Sequence, residues 1–233
     1  MTILDKIVET KREELTAAKK LFPKSMLMNS PLFHVPKHSV TEAIRSGKTS
    51  GVITEFKRRS PSKGWINEQV NPVEVAKGYA SSGAAAISVL TDTQYFGGSL
   101  SDLKQVRQAV GVPLLRKDFT MDAYQLYEAK ANGADIILLI AAILSPGQVK
   151  ELAAEAHSIG LERSIRLQSM LPRETIRVAE SGIHSVEIAC KLLNGGFDAL
   201  LMGEYFMKQT DPAIAFASFF NQLKERLSNY DRP

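Results

Sequence analysis

The chain has 233 residues, a single cysteine and a formal net charge of +4. Hydrophobic residues make up 44% and charged residues 23%, an ordinary globular composition that excludes collagen-like, disordered and coiled-coil classes. The lone Cys190 excludes an intrachain disulfide framework and points to a reducing, cytoplasmic setting.

Asp5, Lys6 and Glu9 interrupt the first ten residues and argue against a signal peptide. Ile3, Leu4, Ile7 and Leu15 recur at helical spacing, so the opening to about Lys20 reads as an amphipathic helix. Residues 22–40 hold Pro23, Pro31 and Pro36 without a clear period and read as a connector, followed by a short helix from Val40 to Arg45.

From there strands and helices alternate. Strands are expected at Gly51–Phe56, Ala85–Leu90, Pro113–Arg116, Asp135–Ile140, Thr175–Ala179 and Ala199–Met202. Helices are expected at Pro72–Ser82, Ser101–Val110, Asp122–Asn132, Ser145–Ser158, Ser185–Asn194 and about Pro212–Leu227. The run Ile136–Leu144 falls well short of the roughly 20 apolar residues a membrane helix needs, so it reads as a buried strand and the residues just after it.

Apolar strands alternating with amphipathic helices imply a parallel sheet covered on both faces, either doubly wound or a (β/α)8 TIM barrel. No G-x-G-x-x-G follows the first strand, which weakens the dinucleotide-binding option. Instead, Glu55, Lys57, Asp92, Lys117, Glu180 and Glu204 sit where strands end, which is where barrel active sites are built. A barrel of this kind typically needs about 250 residues and eight strands. Between Ile140 and Thr175 the sequence reads only as helix, including Ser164–Leu171. The expected fold is thus a barrel with an N-terminal helical extension (1–50) on a single barrel domain (51–233), lacking a block from strand 5 to strand 6 near Glu162–Ser164.

The densest polar cluster is Glu55–Gly64, EFKRRSPSKG. A basic run alone is more often a solvated loop or a nucleic-acid patch. Here strand alternation puts residues 53, 55 and 57 on one face, so Glu55 and Lys57 would both point into the barrel. An inward carboxylate and ammonium are costly unless paired or used. Lys117 ends the third strand, where partial burial would suit a lysine acting as general acid, though a surface lysine fits the sequence equally. Gly182 and Gly203 follow the last two strands, the usual place for a phosphate on backbone N–H groups; either alone would read as a turn glycine. The four histidines and Cys190 show no metal-ligand spacing, and Trp65 alone offers no platform for stacking bases.

These stretches together resemble the indole-3-glycerol phosphate synthase family. The resemblance rests on VITEFKRRSPSKG (52–64), ISVLTDTQYFGGSLSDLKQVR (87–107), PLLRKDF (113–119), YQLYEAKANGADIILLIAAIL (124–144), VAESGI (178–183) and DALLMGEYFMK (198–208), in order along most of the chain. It implies a carboxy-lyase of tryptophan biosynthesis with no metal or organic cofactor and an anionic, phosphorylated small-molecule substrate. No nucleic-acid or membrane partner is implied, and no oligomeric state can be read. It implies Lys117 as general acid, Glu55 assisting proton handling and Lys57 binding the substrate carboxylate. Phe96 and Phe119 would line an aromatic pocket, while Arg58, Ser60, Glu180, Ser181, Gly182 and Gly203 would belong to the substrate and phosphate region. The family also carries a second catalytic glutamate ending its fifth strand and an Asn-rich loop after its sixth. Neither is found here, and Glu162 does not take the glutamate's role. The alternatives are another phosphate-binding barrel, such as a sugar-phosphate isomerase, or a degenerate barrel that only binds phosphorylated ligands.

Overall fold

A computed structural model describes residues 2–166 and 176–230. Helix α1 (Ile3–Leu21) opens on a capping box, in which Thr2 Oγ1 accepts from the Asp5 N–H and the Asp5 carboxylate accepts from the Thr2 N–H. The expected connector is partly ordered: α2 (Lys24–Met28) and a 3-10 turn (Pro31–His34) precede α3 (Val40–Arg45). The prolines at these entries suggest loop, yet proline is compatible with a helix's first turn.

The chain then runs β1 (Val52–Phe56), a small ladder of β2 (Arg59–Ser60) and β3 (Gly64–Trp65), α4 (Pro72–Ser81), β4 (Ala86–Leu90), α5 (Thr93–Phe96) and α6 (Leu100–Ala109). Next come β5 (Leu114–Lys117), α7 (Ala123–Ala131), β6 (Ile136–Ile140), α8 (Pro146–Ser158) and β7 (Glu162–Arg166). Beyond residues 167–175 come β8 (Val178–Glu180), α9 (Val186–Asn194), β9 (Ala199–Met202), α10 (Glu204–Met207) and α11 (Pro212–Tyr230).

Seven strands form one sheet in the order β7-β6-β5-β4-β1-β9-β8, with every pair parallel. Alternate residues build two cores. Ile53, Ala86, Leu115, Ile136, Leu138 and Ile140 pack together on the inner face. Val52, Phe56, Ile87, Val89, Leu114, Ile137 and Leu139 belong to the larger core shared with the helices. This is the (β/α)8 arrangement short of closure: among the described residues β7 and β8, the two ends of the sheet, are not paired.

One expectation is corrected here. Glu162–Arg166 is not helix but strand β7, paired with β6 from Ile136↔Glu162 through Ile140↔Arg166. Strand 5 is therefore present, and among the described residues the strand that is lacking is the sixth, between β7 and β8. Residues 167–175, which include the rest of the expected helix and Thr175 of the next expected strand, lie outside the described residues.

The N-terminal segment spans the barrel's height. Lys11 of α1 reaches Asp92 and Asp118, just past the carboxyl ends of β4 and β5. Further along, the His38 N–H donates to Asp135, and Ser39 and the Val40 N–H donate to Glu162, at the amino ends of β6 and β7. Between them, the Tyr124 hydroxyl of α7 donates to the carbonyl of Phe22, and Phe33 stacks on Tyr127.

Candidate active site

β1 is an interior strand of the sheet, flanked by β4 and β9, and its carboxyl end opens into the mouth. Glu55 is 4% exposed there. Its Oε1 lies 3.0 Å from the Lys57 ammonium and its Oε2 lies 3.4 Å from that of Lys117. The two lysines come from different strand ends, and inward alternation brings both to one carboxylate. Burial alone pushes the Glu55 carboxyl up, but Lys117 and then Lys57 outweigh it and hold the group below the usual glutamate range. Oε2 makes no well-formed hydrogen bond, so its contact with Lys117 is ionic. The lysines keep 17% and 19% side-chain exposure, enough to meet a ligand entering from the mouth.

Gly203 explains how Glu55 fits. A Cβ built there would stand 2.8 Å from Glu55 Cβ and 2.9 Å from Oε1. The glycine is thus required by close approach to the carboxylate, a role distinct from the phosphate turn expected from its position. Ser88, registered beside Glu55 on β4, is fully buried with no hydrogen-bond partner for its hydroxyl among the described residues. The sequence reading missed it, since a serine within an apolar strand carries no signal of its own.

Phe96 ends α5 and Phe119 follows β5; their ring centroids are 6.1 Å apart at 38°, so the structure brings these two together. Arg58 is placed differently from the other mouth residues. Its guanidinium forms a bidentate pair with Asp102 at 2.7 and 3.1 Å and also donates to the Gly97 carbonyl. That commits it to bracing the loop after β1 against α6. Ser60 is buried in the β2–β3 ladder, where its hydroxyl accepts from the Lys63 N–H.

At the other side of the mouth, β8 and β9 are neighbours, with Glu180 opposite Leu201. Their trailing turns, Ser181–Gly182 and Gly203, are therefore adjacent. Ser181 has φ 72°, the sole non-glycine with positive φ among the described residues, and Gly182 has φ 71°. A serine held in the left-handed region is strained, and such strain concentrates at functional turns. Glu162 lies at the opposite end of the barrel, at the start of β7, bonded to Ser39 and Val40.

Among the described residues no three His, Cys, Asp or Glu side chains are grouped to hold a metal, and no helix is long and apolar enough to cross a membrane.

The sequence profile described as indole-3-glycerol phosphate synthase matches residues 4–165 and 158–219. The two matched stretches meet and overlap where β7 lies. A protein of Bacteroides thetaiotaomicron named indole-3-glycerol phosphate synthase is 37% identical over 258 aligned residues, covering 95% of this chain and 99% of that protein. One of the same name from Albidiferax ferrireducens is 37% identical over 258 residues, at 94% and 98% coverage. Those alignments are longer than the chain's 233 residues, so the relatives carry internal residues that this chain lacks.

Solved structures give the fold. The tryptophan synthase of Pyrococcus furiosus matches with a TM-score of 0.56 at 15% identity, covering 76% of this chain and 99% of that one. The alpha subunit of tryptophan synthase from Legionella pneumophila matches at 0.57 and 13%, covering 82% and 98%. On the profile match and these relatives, the chain belongs to the indole-3-glycerol phosphate synthase family, carbon–carbon lyases of tryptophan biosynthesis.

Proposed function

We propose that Lys117, Glu55 and Lys57 carry the family's reaction in this chain, converting 1-(2-carboxyphenylamino)-1-deoxyribulose 5-phosphate to indole-3-glycerol phosphate. The observation that carries this reading is the Lys57–Glu55–Lys117 cluster, one buried carboxylate between two partly exposed ammonium groups. The ring carbon bearing the carboxylate bonds to the sugar carbonyl carbon, and the carbonyl oxygen takes a proton from Lys117. Lys57 holds the carboxylate until the C–C bond breaks and CO2 leaves, returning its electron pair to the ring. The methylene carbon beside the nitrogen then loses a proton and the new hydroxyl departs as water, forming the ring double bond, with Glu55 handling the proton. Phe96 and Phe119 flank the aromatic ring, and the Ser181–Gly182 and Gly203 turns receive the phosphate. Ser60, Arg58 and Glu180 frame the same region.

The reaction so assigned uses no metal, organic cofactor, nucleic acid or membrane. Residues 1–50 form an extension of one barrel domain, and a chain whose single cysteine is Cys190 suits a cytoplasmic setting. Incubation with the carboxyphenylamino deoxyribulose phosphate, followed by indole fluorescence, is the test. Product formation is expected; its absence in folded protein refutes the reading. The residues that relatives carry and this chain lacks favour a second reading, a barrel that binds phosphorylated ligands without turnover. Saturable substrate binding without product would select it.

Gly203→Ala offers a sharper check on the geometry. Its Cβ would displace Glu55, whose Cβ, Cγ and Oε1 all lie within 3.1 Å of that position. A misplacement of about 1 Å in a reacting group can lower activity about 100-fold, and a fall of that order is expected in kcat. Unchanged kcat would remove Glu55 from the chemistry.

A further inference from the structure

Lys11 is one of two buried residues of α1, at 5% exposure, although it lies on a helix of otherwise ordinary amphipathic pattern. Its ammonium touches three carboxylates: Glu14 at 2.6 Å, Asp118 at 3.0 Å and Asp92 at 3.1 Å. Burial alone would push the lysine down, but Asp118, Asp92 and Glu14 together raise it above an ordinary lysine.

Each of the two aspartates shapes a loop that carries one aromatic ring. Asp92 Oδ1 accepts from the Tyr95 N–H and so caps α5, whose last residue is Phe96. Asp118 Oδ1 accepts from the Phe119 N–H, and its Oδ2 accepts from Thr91 and Arg116. The neighbouring Thr10 hydroxyl lies 2.9 Å from that of Tyr95, a second tie from α1 to the Phe96 loop. Beneath α1 lies a cavity of about 210 Å³ lined in part by Lys11, Arg116 and Asp118. It is outside the barrel mouth, and those three side chains are ion-paired with one another or with adjacent carboxylates.

We propose that Lys11 is a positioning residue: by clamping Asp92 and Asp118 it sets the spacing of Phe96 and Phe119 and thereby the fit of the substrate's aromatic ring. The N-terminal extension thus tunes a pocket to which this residue contributes no atom. The inference rests on the proposed reaction for its kinetic arm, but it also has an arm that needs no activity. Trp65, the chain's one tryptophan, packs on the Phe96 loop: a Cβ at Gly97 would lie 2.8 Å from its ring. Its emission therefore reports that loop.

The test compares Lys11→Met and Lys11→Arg in the full chain. For Lys11→Met, KM is expected to rise about tenfold with kcat changed less than about threefold, because ring placement loosens while the lysines of the mouth stay in place. Trp65 emission is expected to shift to the red. Lys11→Arg, which keeps the charge, is expected to restore both within about threefold. If Lys11→Met does not fold, Asp92→Asn carries the same expectation at smaller amplitude, since asparagine still caps α5 but weakens the clamp. A lower melting temperature with unchanged KM and unchanged Trp65 emission would make Lys11 a staple only and overturn the proposal. If the parent protein shows no turnover, the proposed reaction fails, and Trp65 emission alone decides whether Lys11 sets the loop.

Discussion

Lys117→Ala is expected to lower kcat/KM about 1,000-fold, within the range general-acid groups contribute, while the fold stays intact. The lysine is at the mouth, its side chain 19% exposed, and it packs no core. Its loss removes both the proposed proton donor and one of the two positive charges that hold Glu55 below the usual range. The Glu55 carboxyl should therefore titrate higher in the variant, seen by carbon NMR of labelled glutamate. Lys117→Arg separates the two effects. A guanidinium can still pair with Glu55 and hold its titration down, but it gives up its proton too reluctantly to replace an ammonium as acid. Turnover should stay low in the arginine variant while the Glu55 titration returns toward the parent. Near-parental turnover in Lys117→Ala, with circular dichroism unchanged, would remove Lys117 as the acid.

The Lys57–Glu55–Lys117 cluster was legible because it depends on periodicity. Alternation along GVITEF fixed Glu55 and Lys57 on the inner face, and the strand ending at Lys117 delivered its partner. Pairings between distant segments were not legible. Lys11 reads as one more charge on a solvated helix, because Asp92 and Asp118 lie far away in sequence and only the packing of α1 brings them to it. Arg116 sits beside Lys117 in the sequence, yet it points to the opposite face and is buried among Asp118 and Glu128.

β7 was hidden for a related reason. Glu162-Arg163-Ser164-Ile165-Arg166 has a single aliphatic residue, so neither a strand alternation nor an apolar run marks it. Only hydrogen bonding to β6 makes it a strand. The same limit made the missing block look two strands long, whereas among the described residues one strand is lacking. The location of the deficit was legible from the broken rhythm, but its size was not. Gly203 was legible as a turn glycine, but not the fact that the atom nearest its absent Cβ belongs to Glu55. Position in the sequence suggested a role, and close packing supplied another.

The largest stability effect is expected from Asp118→Asn, which removes one negative charge and keeps the side chain's shape. Asp118 is 3% exposed and meets Arg116 and Lys11, both also buried, together with the Thr91 hydroxyl and the Phe119 N–H. Removing one partner of a buried ion pair costs about 3–5 kcal/mol, because the remaining charge stays desolvated. Here Arg116 retains Glu128, and Lys11 retains Asp92 and Glu14, so the lower end applies, about 3 kcal/mol. For a chain of this size that corresponds to a fall of roughly 10 °C in melting temperature. The pH dependence has a definite sign. Burial pushes the Asp118 carboxyl up, but Arg116 and Lys11 more than reverse it and hold the group well below its ordinary 3.8. The stabilisation is thus complete above the unfolded-state value and is lost as pH falls below it toward the folded-state value. Urea melts at pH 7 and pH 3 should show the gap between parent and Asp118→Asn narrowing by about 1 kcal/mol at the lower pH. An equal gap at both would mean that the carboxylate is not held ionised by its two buried cations.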